Sequence, residues 1–203
     1  MHLAENHMDL PGIRDVPAAV ARVVRRAAGL ALCRVDHVAL CVEAANLSRY
    51  VQQVRDQCPS SSSGEYTVGD PDSGMRIAEL RDPEAGLHVV LAAPRGSRGQ
   101  LVEFLSTMGG EGLQHVAFAV PDVRAAVVEL ADQGLRFVGG ARAPELAIVE
   151  TREGDNWLRQ AFTEPLFGGF FVEVVERRGI VEMRPGNVDA LYAMKAESEH
   201  QPA

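Results

Sequence analysis

The sequence predicts an α+β fold in which two βαβββ modules pair to form one eight-stranded, partly open curved sheet. The first observation is an internal repeat, because VDHVALCV at 35–42 and LQHVAFAV at 113–120 place His37 and His115 at equivalent points. The second is that each repeat is followed by a segment with the apolar periodicity of a helix. We therefore expect both halves of the chain to have the same architecture.

Short extended segments, divided by turn-forming residues, follow each of these two helices. The helices are predicted at 46–57 and 121–134, and Pro121 and Asp122 suit the first turn of the second one. A third helix at 98–107 would cross between the halves. The remaining strands are predicted at 65–69, 75–80 and 86–93 in the first half, and among 135–138, 146–150, 156–163 and 170–177 in the second half.

The chain divides into three expected segments. Residues 1–32 form an N-terminal extension with an arginine-rich helix at 14–30, which we expect to pack on the domain; a targeting peptide is the second interpretation. Residues 33–180 form the paired-module domain, with half-modules at about 33–95 and 112–178. Residues 181–203 form a C-terminal helix and tail.

Composition excludes several classes of protein. The 203 residues are 46% hydrophobic and 24% charged, which is typical of a globular domain, and the formal net charge of −8 disfavours binding to duplex nucleic acid. No apolar run approaches the roughly 20 residues that a membrane-spanning helix needs. Three cysteines do not make a disulfide framework, so a reducing cytoplasm is the expected location.

The two repeat histidines are the first candidate functional residues. Because side chains alternate along a strand, His37 and His115 are each predicted to share a face with apolar neighbours. A single histidine in such a place is more often a core residue, but a repeat brings its two equivalent strands together. The predicted same-face neighbours are Val35, Ala39 and Cys41 for the first histidine and Leu113, Ala117 and Ala119 for the second.

Glu173 is the third candidate, at the centre of the apolar run FFVEVVER. An unpaired carboxylate is costly to bury, so this position favours a cation; an edge strand with Glu173 facing water is the alternative. Two imidazoles and one carboxylate are the set that suits non-haem Fe(II). Aligning the two halves places Val90 opposite Glu173, which favours three ligands over four, although His88 remains a possible substitute ligand.

These residues together resemble the vicinal oxygen chelate superfamily. The second half more narrowly resembles the catalytic domain of the 4-hydroxyphenylpyruvate dioxygenase and hydroxymandelate synthase family. The segments that carry this resemblance are RGQLVEFLSTMGGEGLQHVAFAVPDV at 98–123, QAFTEPLFGGFFVEVVERRG at 160–179 and PGNVDALYAMKAESEHQ at 185–201. The resemblance implies the paired-module fold around a metal site.

The resemblance also implies roles for individual residues. The family's iron ligands fall on His37, His115 and Glu173. By strand parity alone Gln114 would face outward, so its substrate role is implied only by the resemblance. The substrate-binding positions fall on Gln114, Gln160, Phe162 and Asn187, and the possible cavity-lining residues are His88, Val90, Phe118, Phe171 and Met183.

The implied function is an Fe(II)-dependent dioxygenase that uses O2 and couples oxidative decarboxylation of a small 2-oxo acid to hydroxylation of the same molecule. The substrate is open, because the family's Asn-Glu-Pro stretch is replaced near 89–93 by VVLAA. The alternatives are a divalent-metal isomerase or lyase, an extradiol dioxygenase and a non-catalytic small-molecule-binding protein. We expect no nucleic-acid or membrane partner, and a homodimer is left open.

Overall fold

The computed structural model describes residues 34–58, 62–82, 86–166, 168–180 and 186. These residues form eight strands and three α-helices. In chain order they are β1 (Arg34–Cys41), α1 (Leu47–Gln57), β2 (Ser62–Val68), β3 (Met75–Asp82), β4 (Leu87–Pro94), α2 (Gln100–Met108), β5 (Gly112–Ala119), α3 (Val123–Asp132), β6 (Val149–Glu153), β7 (Asn156–Phe162) and β8 (Phe171–Arg178).

All eight strands join in one curled, mixed sheet with the order β2-β3-β4-β1-β5-β8-β7-β6. β1 pairs parallel with β4, and β5 pairs parallel with β8, so each half has the same internal arrangement. The halves meet where β1 and β5 pair antiparallel. The predicted α+β architecture of paired βαβββ modules is therefore confirmed.

One predicted strand of the second half is absent and another begins later than predicted. Within the described residues, the 135–138 segment forms only an isolated bridge, between Phe137 and Thr163. Its apolar side chains pack beneath α3 instead. The 146–150 segment begins as a 3-10 helix, Pro144–Ala147, because proline suits a first helical turn, and β6 starts at Val149.

The helices cover the two faces of the sheet unequally. On the first half, α1 packs its Leu47 and Val51 against the face opposite His37. α2 packs Leu101 and Phe104 against the face that carries His37, which we call the inner face. On the second half, α3 packs against Ala161 and Val174, on the face opposite Glu173. The inner face therefore stays free of α1 and α3.

Several predictions concern the rest of the chain. The N-terminal extension at 1–32 with its helix, and the C-terminal tail apart from residue 186, lie outside the described residues; Met183 and Asn187 are among those not described. Among the described helices, none is both long enough and apolar enough to cross a membrane.

The N-terminus of α3 supplies a test of the local sequence signals. The Asp122 side chain accepts hydrogen bonds from the backbone N–H groups of Arg124 and Ala125, at 2.8 and 3.2 Å. We expect Asp122→Ala to lower the free energy of unfolding by about 1 kcal/mol, because two N–H groups lose their acceptor. Urea unfolding measures this, and Asp122→Asn, which keeps an acceptor oxygen, should stay near wild type. Equal losses in both variants would contradict a capping role.

Candidate metal centre

Two related β-bulges shape the inner face at the junction of the halves. The extra residue is Asp36 on β1 and Gln114 on β5, and each stands immediately before a repeat histidine. A bulge places two consecutive residues opposite one residue of the partner strand, which disturbs the alternation of side chains. The pairs on either side are Val35–Phe118 and His37–Ala117 around the first bulge, and Ala39–His115 and Leu40–Leu113 around the second.

The bulges overturn part of the parity prediction. Val35 and Leu113 were expected to share the face of the histidines, but they are 50% and 42% exposed. Gln114, expected by parity to face outward, is only 6% exposed and its amide lies beside His115. Ala39 and Cys41 follow His37, and Ala117 and Ala119 follow His115, with no bulge in between on their own strand. These four predicted neighbours therefore keep the expected alternation with the histidines.

Three side chains converge on the inner face. His37 Nε2 lies 3.3 Å from Glu173 Oε2, His115 Nε2 lies 3.4 Å from the same oxygen, and the two Nε2 atoms are 3.4 Å apart. A triangle with these edges lets one ion contact all three atoms at roughly the 2.0–2.2 Å typical of metal–nitrogen and metal–carboxylate bonds. The three predicted ligands thus form a group that could hold a metal ion.

The surroundings of Glu173 support a cation at this point. Glu173 is fully buried, and its Oε1 accepts a hydrogen bond from Gln160 Nε2 at 2.7 Å. Its Oε2 is buried, and within the described residues the two imidazole Nε2 atoms lie 3.3 and 3.4 Å from it without the geometry of a hydrogen bond. An ionised oxygen in that condition is costly unless a positive charge approaches it. The donor set and the buried Oε2 atom therefore fit a divalent ion.

The pKa values in the centre follow the same charge preference. Burial opposes protonation of His37, but the carboxylates of Glu173 and Asp36 outweigh burial and raise its pKa to about 9. Burial opposes ionisation of Glu173, yet the two facing imidazoles hold the pKa of this carboxyl well below its usual range. Burial lowers the pKa of His115. The site favours a positive charge beside Glu173, from a proton on His37 or from a metal ion.

The opposite nitrogen of each imidazole contacts the bulge residue before it. His37 Nδ1 donates to Asp36 Oδ1 at 2.9 Å, and His115 Nδ1 lies 3.3 Å from Gln114 Oε1. Arg177 on β8 donates to both oxygens of Asp36. Sequence reasoning missed Asp36 and Arg177; the one available signal was that Asp36 and Gln114 occupy equivalent positions of the repeat.

Aromatic residues from the second half line the centre. Phe171 stacks on His115 with ring centroids 4.6 Å apart, and Phe162 meets Phe171 edge-on at 6.2 Å. Phe118 alternates with Ala117 along β5, so it lies on the opposite face from His115, outside the cavity that we expected it to line. The apolar second-half wall is thus formed by Phe162 and Phe171.

The first half of the chain contributes a valine to the inner face where the second half contributes a glutamate. Val90 pairs with Ala39 as Glu173 pairs with Ala117, so valine stands at the equivalent position of the other module. It is buried in the apolar cluster beneath α2. The first half therefore offers no carboxylate at this position.

His88 lies beside the three converging residues. Its ring centroid is 5.0 Å from that of His37, and its Nε2 lies 3.4 Å from Glu79 Oε2. Asp36, His37 and His88 form a second group of three potential ligands among the described residues. Because Arg177 already holds both oxygens of Asp36, we favour the group that contains Glu173.

A family model described as the Glyoxalase/Bleomycin resistance protein/Dioxygenase superfamily matches residues 36–151, more than half of the chain. A 4-hydroxyphenylpyruvate dioxygenase of Legionella pneumophila (strain Corby) is 25% identical over 186 residues, which cover 81% of this chain and 53% of the relative. The chain therefore spans about half of the length of this curated relative.

Solved structures give related results. A mutant of 4-hydroxymandelate synthase from Streptomyces coelicolor has a TM-score of 0.70 at 27% identity, covering 83% of this chain and 55% of that chain. Methylmalonyl-CoA epimerase from Mycobacterium tuberculosis has a TM-score of 0.52 at 27% identity, covering 71% and 87%. The fold similarity thus extends to proteins of two different activities.

A divalent ion should stabilise the folded chain, because only the folded state brings the three ligand side chains together. At a free ion concentration one hundred times Kd, the gain is about 2.7 kcal/mol. Calorimetry with Mn(II) or Co(II) should record it as a rise in Tm, and Glu173→Ala should abolish the rise.

Glu176→Gln is the matched control for this measurement. Glu176 lies on the same strand but binds Trp157 and Arg159 on the opposite face. This variant should keep the ion-dependent rise even where its starting Tm is lower. A rise of wild-type size in Glu173→Ala would show that the ion binds elsewhere.

Proposed function

Because the chain belongs to the glyoxalase/bleomycin resistance protein/dioxygenase superfamily, we propose that it is a non-haem Fe(II)-dependent dioxygenase acting on a 2-oxo acid. The observation that carries this proposal is the convergence of two imidazole nitrogens and one carboxylate oxygen within 3.3–3.4 Å of one another. Two histidines and one carboxylate are the set used by non-haem Fe(II) oxygenases, in which the other coordination positions stay open.

The valine at position 90 supports the same assignment. At the first-half position equivalent to Glu173, Val90 has no ligand atom, so this position supplies no fourth protein ligand. Three ligands leave room for both a bidentate 2-oxo acid and O2. The named activities of the relatives, 4-hydroxyphenylpyruvate dioxygenase and 4-hydroxymandelate synthase, agree with a 2-oxo acid oxygenase.

Charge balance favours a substrate that brings one carboxylate to the centre. A divalent ion with Glu173 leaves one net positive charge, which a single substrate carboxylate would neutralise. The neighbouring acidic groups already have cationic partners, since Arg177 binds Asp36 and Arg81 binds Glu79. A 2-oxo monocarboxylate therefore fits the centre without leaving a buried charge unmatched.

Bound Fe(II) would supply chelation of the substrate's carboxylate and keto oxygens and the activation of O2 that couples decarboxylation to hydroxylation. The chain's own residues would orient and shield the reaction. Gln160 holds the Oε1 atom of Glu173, which leaves Oε2 for the ion. Phe162 and Phe171 would exclude water beside His115, and we also propose substrate contacts for Gln114, Gln160 and Phe162. The contact proposed for Asn187 lies outside the described residues.

A divalent-metal isomerase or lyase is the second candidate. The structural similarity to methylmalonyl-CoA epimerase favours it, and the buried His88 beside His37 supplies an extra imidazole near the centre. Such an enzyme would use the ion to polarise an oxygen of its substrate and would consume no O2. Oxygen consumption therefore separates the two candidates.

The deciding experiment is an anaerobic titration of the protein with Fe(II), followed by addition of aliphatic and aromatic 2-oxo acids. We expect a visible charge-transfer band with a 2-oxo acid, which decays when O2 is admitted and carbon dioxide is released. Glu173→Ala should show no band, because it lacks one of the three ligands. Glu79→Gln, which alters a buried carboxylate outside the ligand group, should keep it.

The outcomes of this titration are distinct. A band that is indifferent to O2 would contradict the dioxygenase. Binding of Fe(II) with no response to any 2-oxo acid would favour the isomerase or lyase. Failure to bind a divalent ion would overturn both candidates and leave a small-molecule-binding protein.

A further inference from the structure

The two histidines of the candidate centre are supported by chemically different partners. The bulges at Asp36 and Gln114 are equivalent in the repeat, and each places a side-chain oxygen against the Nδ1 atom of the following histidine. Behind His37 the oxygen belongs to a carboxylate at 2.9 Å. Behind His115 it belongs to an amide at 3.3 Å.

Asp36 is held rigidly as an anion. Arg177 donates from Nε to both carboxylate oxygens, at 3.2 and 3.1 Å, and from Nη2 to Oδ1 at 3.0 Å. The side chain of Asp36 is only 7% exposed. Arg177 lies on β8 four residues after Glu173, so one strand supplies a candidate ligand and fixes the carboxylate behind another.

His88 is the other titratable side chain that faces Asp36. His88 Nδ1 lies 3.9 Å from Asp36 Oδ1, too far for a hydrogen bond, so within the described residues His37 and Arg177 make the close contacts to this carboxylate. Glu79 lies on the same face but contacts His88, Tyr66 and Arg81. It therefore provides a nearby buried carboxylate with partners of its own on the same face.

We propose that Asp36 is a positioning residue that makes His37 the stronger of two unequal histidine ligands, while Gln114 does the same weakly for His115. This inference rests on the proposed metal centre. A hydrogen bond from Nδ1 fixes the imidazole tautomer whose Nε2 lone pair faces the ion. A carboxylate acceptor forms a charge-assisted bond and increases the electron density at Nε2, whereas an amide does so far less.

Two exchanges of these partners test the proposal on the full chain. Asp36→Asn puts an amide behind both histidines, and Gln114→Glu puts a carboxylate behind both. Glu79→Gln is the control, since it neutralises a buried carboxylate on the same face. The measurement is Co(II) affinity, by competition with a chromophoric chelator.

We expect Asp36→Asn to lower Co(II) affinity by about 10–100-fold, the usual effect of removing an outer-shell partner. Gln114→Glu should raise the affinity, and Glu79→Gln should leave it unchanged. The midpoint potential of bound iron should rise in Asp36→Asn and fall in Gln114→Glu, because a carboxylate behind a ligand stabilises the ferric ion. A purely structural role would not move the potential in opposite directions.

Misfolding is separated from the proposed effect by calorimetry of the ion-free variants. Gln114→Glu should show a lower starting Tm, because its buried carboxylate has no arginine equivalent to Arg177, yet a larger rise when Co(II) is added. Wild-type affinity in Asp36→Asn, or equal losses in Asp36→Asn and Glu79→Gln, would overturn the proposal. Failure of the wild-type chain to bind Co(II) would overturn the metal centre itself.

Discussion

The antiparallel pairing of β1 with β5 is the constraint on which the rest of the molecule depends. It joins the two modules into one sheet and brings His37 and His115, 78 residues apart, close enough for their Nε2 atoms to lie 3.4 Å from each other. Because the two strands are equivalent in the repeat, a backbone feature of one can recur on the other near the same point. The two bulges are the main example, and they turn two consecutive side chains of each strand toward the centre.

Symmetry of the backbone contrasts with divergence of the side chains. The same position carries Glu173 in one module and Val90 in the other. The residue before each repeat histidine is Asp36 in one and Gln114 in the other. A symmetric scaffold thus holds an asymmetric set of donors: one carboxylate, two imidazoles and one strongly held anion behind the first imidazole. Under the proposed function, three protein ligands would leave coordination positions open for substrate and oxygen.

Membership of the superfamily defines the fold and leaves the chemistry to the residues of the centre, because one fold supports many activities. Structural similarity reaches both 4-hydroxymandelate synthase and methylmalonyl-CoA epimerase. The local features on which the proposed activity rests are the buried Oε2 of Glu173, the apolar Val90 at the equivalent position of the other module and the aromatic wall of Phe162 and Phe171. Under the proposed function, charge balance around the centre favours a substrate with a single carboxylate.

The sequence by itself determined the paired modules and the convergence of His37, His115 and Glu173, because repeats and buried charges leave strong local signals. Only the tertiary structure decided where alternation fails. Gln114 faces inward and Leu113 outward because a bulge inserts one residue into β5, and no periodicity in the sequence marks it. The role of Asp36 likewise depended on Arg177, 141 residues away, since hydrogen bonds between distant strands exist only once the sheet has closed around them.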